Sequence, residues 1–256
     1  MLSSQLQTKA IRSGTGEISG SRLGLAARRA YMAAHTPMRD TRLPPLPSLF
    51  SPVALREGGD AIAEAVRLAP AQGAGTLAWV GAYARAEAAL VLEPELLLAE
   101  ARLALLAGCN ALADALAADA PTEIPVQFRW PARLLVNGAE CGRLTLAAPP
   151  GATADAVPDW LVLGLEIALQ PRESVEPGLT PDRTTLAEEG WEAPDAALLT
   201  AAWARHLMAG LDAWQTRGPR QLCEHYLARL AGHEGRRGID PKTGDLLLPD
   251  RRIPIA

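Results

Sequence analysis

The stretch Phe128–Leu146 constrains this chain most. It reads Phe-Arg-Trp-Pro-Ala-Arg-Leu-Leu-Val-Asn-Gly-Ala-Glu-Cys-Gly-Arg-Leu-Thr-Leu. Asn137-Gly138 stands between two strand-like runs. A two-residue type I′ turn needs positive φ at both central positions, which Asn and Gly tolerate best. Pro131 forces the residue before it into an extended conformation, so Trp130 and Pro131 form a corner leading into the first strand. The local physics therefore specifies a tight β-hairpin entered through a Trp-Pro corner.

The 256 residues are 48% hydrophobic, enough to bury one large domain and a small appendage. Net charge is −4, so nothing global points to nucleic acid. The charge is uneven, however. Residues 1–37 hold Lys9, Arg12, Arg22, Arg28 and Arg29 against Glu17 alone, so they carry +4 and leave −8 to the remainder. Cys109, Cys141 and Cys223 are an odd number without metal-type spacing, which fits a reducing cytoplasm; no metal site is expected. No apolar run approaches the roughly 18–20 residues of a membrane span. Ala/Arg/Leu-heavy usage suggests a bacterial, cytoplasmic protein.

Residues 1–37 are Ser/Gly-rich, basic and almost free of acids, and read as a disordered or spurious extension, with Met38 a natural start and Leu23–Ala34 a short helix at most. A Pro-rich lead-in follows at 43–50. Ala54–Leu68 has a helical apolar face in Leu55, Ile62, Ala65 and Val66. Strands are expected at Thr76–Val80 and Ala88–Glu93, and one long buried helix over Glu95–Ala118 with Pro94 at its start. Cys109 on that helix reads as a core residue. Trp160–Leu169 is a continuous apolar run, as in a strand buried on both faces. Glu166 within it needs a partner, and Arg143 or Arg133 is the candidate. Thr184 and Thr185 are expected to cap a short helix, with Glu188 three residues after Thr185 completing a capping box. Asp195–Trp214 is amphipathic, with Leu199, Ala202, Trp203, His206, Leu207, Leu211 and Trp214 on one face, and Gln221–Leu230 makes another helix. Arg236–Leu248 reads as one β-hairpin turning at Pro241–Gly244.

The Trp130–Arg143 segment resembles that of biotin and lipoate protein ligases reading Trp-Pro-Asn-Asp, strand, tight turn, Lys-hydrophobic-Ala/Gly-Gly. Trp130 and Pro131 match; Ala132 and Arg133 replace Asn-Asp; Glu140 stands at the lysine, Gly142 at the small residue and Arg143 at the glycine. Pro70–Trp79 is similar to the family's Gly-Arg-Gly-Arg-x-Gly-Arg-x-Trp loop. It keeps Gly73, Gly75 and Trp79 but has Gln72, Ala74 or Leu77 in place of arginines. Gly164 matches the family's Val-Val-Ile-Gly strand, with Glu166 and Ala168 replacing a later glycine and asparagine. Glu176–Gly190 resembles the loop that closes over the adenylate, and Gly238–Leu248 the hairpin of the small C-terminal barrel.

The resemblance implies an α+β fold: a mixed β-sheet packed on helices over residues 43–231, then a short C-terminal hairpin in residues 232–256. It also implies a function, attachment of biotin, lipoate or a related acyl group to a carrier-protein lysine through an adenylate formed with ATP and Mg. The ligand or adenylate would lie against Gln72, Gly73, Gly75, Thr76, Trp79, Trp130, Asn137, Gly138, Gly142, Gly164 and Glu166. Glu140, Arg143 and Arg133 stand at the catalytic positions, an arginine taking the lysine's role. A variant makes Cys141 an acyl-thioester nucleophile, although no histidine is near it in sequence to activate it.

Two other functions stay open. One is a degenerate member that binds a ligand or a biotinyl or lipoyl carrier domain without catalysis, since the loop arginines, the lysine and the Asn-Asp are all replaced. The other is an enzyme for a less acidic substrate, for which Glu140 and Glu166 would be an asset. A glycine-rich loop can offer N–H groups to phosphate, but it can equally be an ordinary turn. Nucleic-acid and membrane partners are not expected; no winged-helix segment is recognisable.

Overall fold

In a computed structural model, residues 42–171, 182–232 and 235–255 are described. The expectations for residues 1–37, and part of the 176–190 loop, lie outside these residues. The described residues form, in chain order, β1 (Ser51–Leu55), α1 (Ala61–Gln72), β2 (Thr76–Val80), β3 (Arg85–Leu92), α2 (Leu98–Ala101), α3 (Ala104–Ala117), β4 (Val126–Arg129), β5 (Arg133–Val136), β6 (Ala139–Ala147), β7 (Leu161–Ala168), α4 (Ala196–Arg217), α5 (Arg220–Arg229), β8 (Gly238–Ile239), β9 (Leu246–Leu247) and β10 (Arg252–Ile253).

The first seven strands form one sheet, ordered β1-β2-β3-β7-β6-β5-β4. Only β1 and β2 run parallel; the other neighbours are antiparallel. The fold is α+β with a mixed sheet, as expected. Alternation along the strands sends Leu77, Trp79, Leu90, Leu144, Leu163 and Leu165 to one face, where they pack on α3, α4 and α5. Ala78, Val80, Ala89, Val91 and Val162 point to the other face and meet Ala61, Ala65 and Ala69 of α1. Helix α1 lies close because Gly164 has no side chain: a Cβ there would stand 2.4 Å from Cγ1 of Ile62. It covers β2, β3 and β7. The same face of β4, β5 and β6 carries mostly polar side chains, among them Gln127, Arg129, Arg133, Glu140, Arg143 and Thr145, with buried Leu135 between them.

The organising hairpin forms at β5–β6. Asn137 and Gly138 have φ of 52° and 84°, as a type I′ turn requires. A bulge accompanies it: Leu134 pairs with Gly142 but Leu135 with Glu140, so Cys141 is the extra residue.

Several expected boundaries move. Ala54 and Leu55 belong to β1, and α1 begins only at Ala61, where Oδ1 of Asp60 accepts a hydrogen bond from N–H of Ala63. β3 begins at Arg85 rather than Ala88. The long helix expected over Glu95–Ala118 is two helices broken at Arg102–Leu103. The first is held by bonds from Leu98 and Ala99 N–H to carbonyls of Ala156 and Ala154, and packs with Leu161 in a separate cluster. Tight bonds between Leu103 and Glu100, and between Leu105 and Arg102, turn the chain so that fully buried Leu103 joins the main core. Residues 186–190 form turns rather than a helix, although Thr185 Oγ1 does accept from Glu188 N–H at 3.2 Å. His206 leaves the apolar face expected for it and is exposed on α4, while Trp203 and Leu207 are fully buried. The C-terminal segment is a three-stranded antiparallel sheet, β10-β9-β8, rather than a single hairpin. No described helix is long and apolar enough to cross a membrane.

Candidate functional site

Sheet register places a row of charged side chains across five strands. Arg129 pairs with Arg133, Arg133 with Arg143, Arg143 with Glu166, and Glu166 with Glu87. Cross-strand partners share a face, and neighbouring strands lie about 4.8 Å apart, so the row spans about 19 Å. Three guanidiniums occupy one end and two carboxylates the other. Glu140 joins them because of the bulge. Residues three apart on a regular strand face opposite sides, but the extra Cys141 brings Glu140 and Arg143 to the same one.

Each charge has a partner. Oε1 of Glu140 accepts from Nη1 of Arg133 at 2.7 Å and its Oε2 from Nη2 of Arg129 at 3.3 Å. Nη2 of Arg143 donates to Oε2 of Glu166 at 3.0 Å. Nε of Arg85 donates to Oε2 of Glu87 at 2.7 Å, and Oε1 of Glu87 accepts from Ala61 N–H at 2.8 Å, closing the N-terminus of α1. Glu140 is additionally tied by its backbone, which exchanges bonds with Asp182 O and Thr184 N–H. Arg129, Arg133 and Arg143 each leave donors toward solvent, their side chains being 57%, 49% and 55% exposed.

The structure brings together Arg133, Glu140, Arg143 and Glu166, and it separates the other residues grouped with them. Gln72, Gly73, Gly75 and Thr76 lie at the opposite end of β2. Val80, at its far end, aligns with Glu87 and Glu166, so Thr76 is about 13 Å away. The loop there is closed on itself. N–H of Gly73 bonds to Ala69 O, that of Ala74 to Oε1 of Glu93, that of Gly75 to Val91 O and that of Thr76 to Gly73 O. No N–H of this turn is left for a phosphate, and a carboxylate already sits against it. A Cβ on Gly75 would stand 2.1 Å from Leu49 O, so that glycine serves a close backbone approach.

Trp79 is buried in the core. Trp130 donates from Nε1 to Pro254 O at 2.9 Å and packs edge-on against Tyr226, on the helical side of the sheet. Asn137 and Gly138 form the exposed turn. Gly142 and Gly164 act by what they lack: a Cβ on Gly142 would meet Glu166 O at 2.3 Å. Sequence reading missed Arg129, Arg85 and Glu87. Arg129 was visible beside Trp130, but only the return of the chain at Trp130–Ala132 sets it against Glu140.

Cys141 is buried, its Sγ lies 3.5 Å from Ala168 O, and burial pushes its thiol up to about 12. Glu189 and Glu188 push in the same direction. A thiol so far from ionisation is a poor nucleophile. Burial also raises Cys109, and Cys223 to about 11. Folded thiols then hold protons that unfolded thiols lose above about pH 9, so stability falls as pH rises from about 9 to 12, by about 1.4 kcal/mol per pH unit per thiol held protonated. Native protein at pH 8 is expected to leave all three thiols unmodified by an aromatic disulfide reagent, and urea-unfolded protein to titrate three. Rapid native labelling of Cys141 would contradict its placement.

Among the described residues, no three His, Cys, Asp or Glu side chains converge to hold a metal ion.

The model of the Biotin/lipoate A/B protein ligase family matches residues 43–228. The chain belongs to this family. A biotin protein ligase-like protein of unknown function from Silicibacter sp. TM1040 is 31% identical over 84% of this chain and 97% of its own, with a TM-score of 0.74. The apo biotin protein ligase of Aquifex aeolicus shares the fold at 16% identity, over 80% of this chain and 96% of its own, with a TM-score of 0.63. The Leishmania major biotin protein ligase in complex with biotinyl-5-AMP does so at 13% identity, over 78% and 94%, with a TM-score of 0.52. No curated protein matches.

Proposed function

We propose that this biotin/lipoate ligase-like protein binds its ligand on the charged sheet face without forming an acyl-adenylate. One observation carries the reading: both oxygens of Glu140, the residue that the resemblance sets at the ligase lysine, are engaged by Arg129 and Arg133. A ligase must present positive charge to a carboxylate, a phosphate and a leaving pyrophosphate. Here Arg129 and Arg133 face Glu140 and Arg143 faces Glu166, so three guanidiniums against two carboxylates leave one net positive charge, enough for a carboxylate but not for a phosphate and pyrophosphate as well. The closed Gly73–Thr76 turn adds no donor. ATP and Mg therefore do not fit the residues present, and Cys141 supplies no acyl-transfer route in their place.

A non-catalytic role fits these residues better: holding a small ligand, or a biotinyl or lipoyl carrier domain, in the position where relatives react it. The test is calorimetric titration with biotin, lipoate and octanoate, each with and without Mg-ATP. Affinities unchanged by nucleotide are expected. Tightening by tenfold or more with nucleotide would restore the ligase reading, with an arginine in the lysine's role.

A further inference from the structure

The charged row has a polarity that a simple acid cannot use. Arg129, Arg133 and Arg143 stand at one end, Glu166 and Glu87 at the other, and the two signs meet at Arg143 and Glu166, one strand apart. These two are the open junction of the row, with side chains 55% and 46% exposed. Their contact is a single hydrogen bond, which leaves Oε1 of Glu166 and the remaining donors of Arg143 toward solvent. Glu87, by contrast, has both oxygens occupied, and so has Glu140. An exposed ion pair of this kind is worth about 0–1 kcal/mol, so a ligand that offers each partner an opposite charge exchanges one weak pair for two. A ligand bearing only a carboxylate gains at Arg143 and leaves Glu166 uncompensated beside it. A ligand bearing only an ammonium does the reverse.

We infer that this face selects a zwitterionic ligand, its carboxylate received between Arg133 and Arg143 and its ammonium by Glu166. This rests on the reading that the charged face is the binding site. Arg143 lies one strand step from Glu166 and Arg133 two, so the two charges of the ligand are separated by about 5–10 Å.

The probes are 6-aminohexanoate, whose charges stand roughly 8 Å apart when extended, with hexanoate and hexylamine as single-charge controls. They are titrated calorimetrically into the full chain without nucleotide. The zwitterion is expected to bind about two- to fivefold tighter than either control, each lost contact at these half-exposed side chains being worth at most about a factor of five. The variants give crossed results. Arg143→Ala makes 6-aminohexanoate no better than hexylamine, and Glu166→Ala makes it no better than hexanoate. Arg220→Ala, which removes an exposed pair with Glu224 on α5, leaves the preference intact and controls for general charge effects.

Equal binding of all three probes, binding of none, or a preference that survives both Arg143→Ala and Glu166→Ala would overturn the inference. None of these outcomes depends on nucleotide. Adenylate formation, which would sink the non-adenylating reading, is scored separately with Mg-ATP.

Discussion

Gly142→Ala is expected to destabilise the protein by about 3 kcal/mol or more, the upper range for overpacking a core against atoms that cannot move. The new methyl would stand 2.3 Å from Glu166 O and 2.9 Å from Cα of Ile167, both backbone atoms of the adjoining strand β7. Relief requires separating β6 from β7 at the register position next to Arg143 and Glu166, so the damage reaches the site as well as the core. At about 2–4 °C per kcal/mol for a chain of this size, the melting temperature should fall by about 6–12 °C. Gly210→Ala is the matched control. Gly210 lies within α4 with nothing within 4 Å of an added Cβ, so the same change should stabilise by about 0.5–1 kcal/mol. Opposite signs for the two are the expected result. A neutral Gly142→Ala would mean that β6 and β7 do not approach as described.

Glu140→Lys is the second large effect. It installs the lysine that the sequence resemblance leads one to expect at this position, yet here it should cost stability and confer no ligase activity. The substitution removes the partner of both Arg129 and Arg133 and sets a third cation between them. Because those arginines are about half exposed, each lost contact is worth at most about 1 kcal/mol, and like-charge repulsion brings the total to about 1–2 kcal/mol. Repulsion between exposed cations is screened, so most of that loss should vanish in 1 M salt. Adding Arg133→Asp to Glu140→Lys should recover part of it by re-forming one pair with reversed polarity. Thermal melts of the two single variants and the double, at low and high salt, measure the coupling. Strictly additive single effects would contradict the ion-pair description.

The sheet was legible in the sequence to the extent that side-chain alternation and turn chemistry carry it. Asn137-Gly138 specified its turn through backbone φ alone, and Trp160–Leu169 announced a strand buried on both faces. The break at Arg102–Leu103 was hidden, because Glu95–Ala118 is apolar or small on nearly every face and the interruption is imposed by carbonyls of the 154–156 loop. The C-terminal third strand was missed because β10 is two residues long and is recruited by Leu246 and Leu247.

Half of the candidate site could be read and half could not. Glu140, Arg133, Arg143 and Glu166 emerged from one hairpin and one strand, and their proximity follows from register. The Gly73–Gly75 turn matched a phosphate loop by its glycines, but glycine spacing does not say which end of a strand a turn occupies or where its N–H groups go. There they go to Ala69, Glu93, Val91 and Gly73 itself. Nor does strand spacing reveal a bulge, and without the extra Cys141 the sequence places Glu140 and Arg143 on opposite faces.

The proposed function has the charged face around Arg133, Glu140 and Arg143 hold a ligand without activating it. Pyrophosphate release from Mg-ATP by the full chain, at saturating octanoate, lipoate or biotin, tests it most directly. Release no greater than in the absence of acid is expected. Acid-dependent release of one equivalent or more per protein molecule would contradict it.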